Sequence, residues 1–168
     1  MHKIFITGGC GFIGSHLVEK IFDVFKNSEI VVYDKITYAG NIKNLSKIIK
    51  NKRVRFIKKD LIDLKYLEKH IKGSDLVIHA AAESHVDNSF NLEDQFITTN
   101  VMGTKYVLDC CKKFNIKKII HLSTDEVYGE IFKSCFKEDS KFNPSNPYSA
   151  SKAAAEMIIS GYSHSYKL

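Results

Sequence analysis

Asn146 to Lys152 reads NPYSASK, with Tyr148 and Lys152 four residues apart. On a helix that spacing puts both side chains on one face. A free phenol titrates near about 10 and is a poor base at neutral pH. A neighbouring ammonium stabilises the phenolate, and so does the positive end of a helix. Pro147 suits the first helical position and Asn146 an N-cap, so Tyr148 has access to both. A tyrosine activated in this way can take the proton of an alcohol while hydride leaves the same carbon. A second chemical group lies in STDEVYG (123–129), where the adjacent acids Asp125 and Glu126 follow Thr124 and an apolar run, KKIIHL. Burial and mutual repulsion can hold two such carboxyls in different protonation states, one as acid and one as base. Neighbours along a strand point to opposite faces. Both acids therefore serve one site only if the strand has ended by Asp125.

A third group is the loop TGGCGFIG (7–14), in which Gly8, Gly11 and Gly14 fall between a predicted strand and a predicted helix. Glycines there let the backbone turn tightly and approach a pyrophosphate, whose charge the free N–H groups of the helix terminus then hold. Asp34 follows Gly14 by about 20 residues, at the end of the second strand. A carboxylate at that place accepts the two ribose hydroxyls of an adenosine and repels a 2′-phosphate, which favours NAD over NADP. Lys35 beside it leaves NADP open. Asp60, at the end of the third strand, reads either as a contact to the adenine edge or as a helix N-cap.

These groups need elements to position them. The apolar pattern predicts strands over 3–7, 29–34, 54–60, 75–82 and 117–123. It predicts helices over 12–25, 41–50, 64–71 and 94–114, and a last helix from Pro147 toward the C-terminus. A loop over 129–147 holds both prolines, Pro144 and Pro147. Alternating strands and helices, with nearly continuous apolar strands, imply a parallel sheet covered on both faces. The 168 residues, 44% apolar and 26% charged, suit one soluble α/β domain. No stretch approaches the roughly 20 apolar residues of a membrane span. The opening MHKIFITGG reads as a strand rather than a signal peptide, so cytoplasm is the expected compartment. The net charge of +6 comes from scattered lysines without interleaved aromatics, which argues against nucleic-acid binding. Cys10, Cys110, Cys111 and Cys135 form no CxxC pair and no metal-ligand spacing, so reduced thiols and no metal are expected.

TGGCGFIG, NPYSASK and the spacing between them resemble the extended short-chain dehydrogenase/reductase family. DKITYAGN (34–41), AAESHVD (81–87) and STDEVYG resemble, more narrowly, its dTDP-glucose 4,6-dehydratases. The resemblance runs over essentially all 168 residues. It implies a Rossmann-type, doubly wound parallel sheet of about five strands in the order 3-2-1-4-5, forming one NAD-binding domain over residues 1–168. It implies NAD as cofactor, a nucleotide sugar (dTDP-glucose) as substrate, and a homodimer formed through the helices near 94–114 and 148–166. Besides Gly8, Gly11, Gly14, Tyr148 and Lys152, the positions matching its NAD-contacting segments are Phe12, Ile13, Asp34, Lys35, Ile36, Thr37, Asp60, Leu61, Ala80, Ala81, Ala82, Glu83, Ser84 and Thr99. Ser84 and Thr124 match sugar contacts. Asp125 matches the proton donor and Glu126 the base, while Tyr148 and Lys152 match the redox pair.

Two departures stand out. Asn88 replaces the arginine usual in HVDRS, which removes a cation near the sugar. Tyr166-Lys167-Leu168 falls where the family begins a sixth strand, so the resemblance implies missing C-terminal strands, a missing substrate domain and little turnover by this segment alone. Three other functions compete: a UDP-sugar 4,6-dehydratase, a nucleotide-sugar epimerase, which needs no paired acids, and a non-catalytic NAD-binding module.

Overall fold

The computed structural model describes residues 2–131 and 135–168. Strands β1 (Lys3–Thr7), β2 (Glu29–Asp34), β3 (Val54–Lys58), β4 (Leu76–His79) and β5 (Ile119–His121) form one parallel sheet in the order β3-β2-β1-β4-β5. Ile6 lies opposite Val32 on one side and Ile78 on the other. Alternation along β1 and β2 divides the core. Ile4, Ile6, Ile30 and Val32 pack with Val18 of helix α1 (Phe12–Val24) on one face. Phe5, Val31 and Tyr33 pack on the other against Leu67 and Ile71 of α2 (Leu64–Ile71) and Val107 of α5 (Thr104–Lys113). Side chains of successive strand residues must leave by opposite faces, and here both faces are covered, which is why the strands are apolar throughout.

The strands stop sooner than their apolar runs: β4 ends at His79 and β5 at His121. The residues beyond them are loop, and that loop builds the site. The helix expected over 41–50 is only a 3-10 turn, Ile42–Leu45, followed by further turns. The Asn41 side chain accepts from the Lys43 N–H, and the Asn41 N–H donates to the Cys10 carbonyl. These bonds hold the segment against the glycine loop rather than in a helix. A short helix α3 (Val86–Ser89), which has no periodic signal in the sequence, precedes a long one. That long helix comprises α4 (Glu93–Phe96), a π segment (Ile97–Gly103) and α5 without a break. A wider turn of this kind inside an α-helix is rare and tends to lie at functional sites. The buried residues of the π segment are Asn100 and Gly103. Part of the loop expected over 129–147, residues 132–134, lies outside the described residues.

Helix α6 (Pro147–Tyr166) packs on α5 and the π segment. Asn146 caps it: its side chain accepts from the Ser149 N–H at 2.8 Å, and its own N–H donates to the Ser149 hydroxyl at 3.1 Å. With Pro147 at the first position, this fixes where the helix starts and so where Tyr148 points. All four cysteines are free, and burial pushes the thiols of Cys10, Cys110 and Cys111 up to about 12.

Leu67 is fully buried whereas its neighbour Tyr66 is 42% exposed. Leu67→Ala is expected to cost about 2–5 kcal/mol, and Tyr66→Ala about 1 kcal/mol or less, read by urea denaturation. Equal losses would mean that Leu67 does not seat α2 on the sheet.

Candidate active site

β1 and β4 are neighbours, yet the chain leaves them in opposite directions, toward β2 and β3 on one side and β5 on the other. Loops diverge at such a reversal and leave a crevice outside the C-terminal strand ends. Here it measures ≈ 490 Å³. Its floor is the glycine loop. Gly8 has φ +70°, and a Cβ on it would lie 2.5 Å from the Ala81 nitrogen. A Cβ on Gly14 would strike the Gly8 carbonyl. Gly11 offers no side-chain cap to α1, so the first N–H groups of that helix are left open beside Phe12, Ile13 and Gly14, all on the crevice wall. Phe12 and Ile13 are exposed there.

At one end stands Asp34. One carboxylate oxygen accepts from the Cys10 N–H at 2.8 Å, and the other from the Ile36 N–H at 2.7 Å. Each oxygen keeps a further lone pair, so the carboxylate is fixed in place and can still accept. Lys35 is bound to Asp60 at 2.7 Å, so the cation that left a 2′-phosphate open is paired with a carboxylate. Of the two readings of Asp60, the helix cap falls to Asp63, whose side chain accepts from the Tyr66 N–H. Asp60 stays in the crevice wall with Leu61 and Thr37. Ile36 does not line it: the residue has φ +56° and its side chain packs with the cluster around α1.

At the other end, Tyr148 and Lys152 line the crevice with Ser123, Ala80, Ala81, Ala82, Glu83, Ser84 and Thr99. The strand has ended by Asp125, as a shared site requires. Asp125 and Glu126 sit on a 3-10 turn, Asp125–Tyr128, capped by the Thr124 hydroxyl, which accepts from the Glu126 N–H at 3.3 Å. The Asn146 amide donates to Glu126 at 3.1 Å, so the cap of α6 also ties down this acid. Thr124, Asp125 and Glu126 are not in the crevice wall itself. They stand beside Tyr148: burial raises its pKa, the hydrogen bond with Thr124 lowers it, and the Glu126 and Asp125 carboxylates raise it again. The sequence led us to expect a phenol pulled down by Lys152, and here the balance runs upward. Lys152 is itself buried, and burial brings its ammonium down to about 8, against the pull of Glu156. Its Nζ donates to the Leu122 carbonyl at 2.6 Å. Ser123 donates to Glu156, one helical turn beyond Lys152.

A buried polar network that sequence reasoning missed joins the two ends. The Asn100 side-chain oxygen accepts from the Glu83 N–H at 2.8 Å, and its amide donates to the Glu83 carbonyl at 3.0 Å and to the Ser151 hydroxyl at 2.8 Å. Below it, Thr104 donates its single hydroxyl proton to the Asn100 carbonyl. Thr104 can then only accept from His79 Nε2, at 2.9 Å, so His79 carries its proton there and accepts at Nδ1 from Thr7, at 2.7 Å. The Thr7 oxygen in turn accepts from the Ala81 N–H at 3.1 Å. Burial, then the neighbouring His121 and Lys152, holds His79 well below the usual histidine range. Burial and Lys152 bring His121 down to about 3. Burial raises the Glu83 carboxyl, opposed by a hydrogen bond from Tyr38. A lone asparagine within a helical pattern carries no spacing signal, and a histidine at the end of an apolar run reads as part of a strand.

The profile of the GDP-mannose 4,6 dehydratase family matches residues 5–168. A dTDP-D-glucose 4,6-dehydratase of Dictyostelium discoideum is 44% identical, over all of this chain and 42% of its own length. A trifunctional UDP-glucose 4,6-dehydratase, epimerase and reductase of Arabidopsis thaliana is 41% identical, over 99% of this chain and 26% of its own length. The crystal structure of dTDP-glucose 4,6-dehydratase from Streptomyces venezuelae, which contains NAD, superposes with a TM-score of 0.95 at 39% identity. That match covers 99% of this chain and 53% of the other. The chain spans about half the length, or less, of the curated relatives it matches. Among the described residues no helix is long and apolar enough to cross a membrane.

Asn100→Ala leaves both backbone groups of Glu83 without a partner, and each buried group stranded in this way costs about 1–3 kcal/mol. A loss of about 3 kcal/mol in urea denaturation is expected, with faster amide exchange at Ala81, Glu83 and Ser84. Unchanged stability would deny Asn100 its clamping role. Acid should also destabilise the fold. Unfolded histidines bind protons below about 6.5 that His79 and His121 refuse when folded, so stability falls as pH drops through that value. The slope approaches about 2.7 kcal/mol per pH unit for two such groups. A flat profile between about pH 7 and pH 5 would show that both take up protons inside the fold, and half the slope that one does.

Proposed function

The chain belongs to the GDP-mannose 4,6-dehydratase family, and we propose that it is the cofactor-binding half, carrying the acid and the base, of a dTDP-glucose 4,6-dehydratase. The observation that carries this reading is the meeting of Tyr148, Lys152 and the Thr124–Glu126 turn at one end of a crevice whose other end holds the glycine loop and Asp34. We read residues 1–168 as one NAD-binding domain. The residues fit a dinucleotide: Gly8 and Gly14 leave a cradle that a Cβ would fill, open N–H groups at α1 suit a pyrophosphate, and the fixed Asp34 carboxylate suits a ribose diol. Phe12, Ile13, Thr37, Leu61, the loop Ala80 to Ser84 and Thr99 supply the remaining walls. Ile36 would contribute its backbone position rather than its side chain.

NAD, when bound, supplies a nicotinamide that accepts hydride from the sugar C4 and returns it to C6. Tyr148 takes the proton of the 4-hydroxyl as the carbonyl forms, with Thr124 donating a hydrogen bond to the same region. The new ketone acidifies C5, and Glu126 removes that proton while Asp125 protonates the departing C6 oxygen, releasing water. Glu126 then gives its proton back to C5. Lys152 orients the cofactor side of the pocket and supplies positive charge near Tyr148. Asp125 and Glu126 do not stand equally: Glu126 is tied by Asn146 and Asp125 is exposed. An epimerase has no use for two acids here. The exposed Ile97 and Met102 of the π segment and Met157 of α6 support a homodimer through these helices. Ser84, on the crevice wall, would touch the sugar.

The test joins residues 1–168 to the C-terminal half of a family member and supplies NAD with dTDP-glucose or UDP-glucose. The expected product is the 4-keto-6-deoxy sugar from dTDP-glucose. Glu126→Gln should lower turnover at least about 100-fold while leaving NAD affinity unchanged. NAD binding without turnover in the folded fusion would favour the non-catalytic module. C4 inversion would favour an epimerase, and preference for UDP-glucose would reassign the base.

A further inference from the structure

Lys152 Nζ has a second neighbour besides the Leu122 carbonyl: His121 Nε2, at 3.3 Å. An ammonium has three protons to donate and no lone pair. His121 Nε2 must therefore be the acceptor, which makes the imidazole neutral with its proton on Nδ1. That Nδ1 is the buried side-chain nitrogen or oxygen without a hydrogen-bond partner among the described residues. The ring stands 5.1 Å from that of His79, tilted by 44°. His79 cannot serve as its partner, because Thr7 and Thr104 occupy both of its nitrogens. The ring also borders a second cavity, ≈ 240 Å³, shared with His79, Lys117 and Ser163.

We propose that His121 is a positioning residue for Lys152: its bare Nε2, together with the Leu122 carbonyl, fixes two of the three ammonium protons and leaves the third for a hydroxyl-bearing ligand in the crevice. The assignment rests on the reading of Lys152 as a cofactor-side group. Geometry requires the histidine to stay neutral. A protonated ring would lose its acceptor and press a second cation against Lys152. The surroundings keep it neutral, since burial and the ammonium itself bring it down to about 3. The groups facing Lys152 are few. Glu156 on α6 favours the ammonium, Tyr148 one turn earlier on α6 lines the same crevice, His121 on β5 accepts from it, and His79 on β4 lies behind His121. Asn100 and Ser151, from the π segment and α6, are uncharged. Truncating the imidazole to an apolar group therefore removes an acceptor and makes the ammonium easier to deprotonate.

Two measurements on the 168-residue chain test this. In ¹⁵N-histidine NMR, His121 should show a protonated Nδ1 and a bare Nε2, unchanged between about pH 7 and about pH 5. Protonation at Nε2, or a charged ring in that range, overturns the assignment. Second, NAD affinity is followed against pH. It should fall as pH rises through about 8, where Lys152 discharges. In His121→Leu the fall should move about one pH unit lower, with roughly fivefold weaker binding at the original midpoint. His121→Gln returns an amide oxygen near the acceptor position and should recover most of the loss. An unaltered profile in a folded His121→Leu chain refutes the positioning role. Failure of the unaltered chain to bind NAD would count against the proposed function instead, and the NMR measurement still decides the state of His121.

Discussion

Three hydrogen bonds from one buried amide hold the crevice to its width. Asn100 takes both backbone groups of Glu83 and the hydroxyl of Ser151, so the loop after β4 and the helix that carries Tyr148 and Lys152 are referred to one point. The loop needs such a clamp, because β4 stops at His79 and the residues that follow have no ladder to satisfy them. Buried backbone groups without a partner are costly, and an asparagine amide is the side chain with a donor and an acceptor at the right separation to mimic a neighbouring strand. The π segment fits the same logic. A helix that must deliver Asn100 to the loop and still let Gly103 pass Leu61, where a Cβ would approach to 3.0 Å, has two constraints of different phase. One wide turn reconciles them.

The network continues downward as a chain of single-proton decisions. Thr104 spends its proton on the Asn100 carbonyl, which forces His79 to donate from Nε2 and accept at Nδ1, which uses the Thr7 proton and frees the Thr7 oxygen for Ala81. No member can change state without leaving a buried group unpaired. The arrangement thereby fixes Ala81 against Gly8, where a Cβ would lie 2.5 Å from the Ala81 nitrogen. A few tenths of an ångström matter there, because the space above Gly8 is what a phosphate-bearing ligand would use.

The parts of this site that were legible in the sequence are those where one residue type in one place performs the chemistry. Glycines before a helix, an acid at the end of the second strand and a tyrosine one turn from a lysine have few other uses in that order. The sheet order was legible for a related reason, since continuous apolar strands and right-handed crossovers admit few arrangements. Asn100, His79 and His121 were not legible, because each acts through a partner distant in sequence: Asn100 through Glu83, His79 through Thr7, His121 through Lys152. The pull of Lys152 on Tyr148 was misjudged for the same reason. Spacing along α6 shows that the two share a face, but it does not show that the ammonium is already engaged by the end of β5. Nor could periodicity show that Ile36 turns left-handed and packs inward, leaving Asp34 to accept its N–H.

On the proposed chemistry, the contrast between an enclosed phenol and an exposed acid has a consequence for turnover. Oxidation leaves one proton on Tyr148, and loss of water takes one from Asp125, whereas Glu126 ends as it began. Each cycle therefore requires a proton to leave the phenol and another to reach the acid. Asp125 is exposed and can reload from solvent, whereas Tyr148 is 8% exposed and meets solvent through the crevice it lines. Burial and the two carboxylates favour the protonated phenol, so the resting chain holds the tyrosine in the form that cannot begin the reaction. A ligand in the crevice tips that balance by bringing a hydroxyl that Tyr148 and Lys152, which both line it, can share. The protein supplies an ammonium with one free proton direction for that purpose.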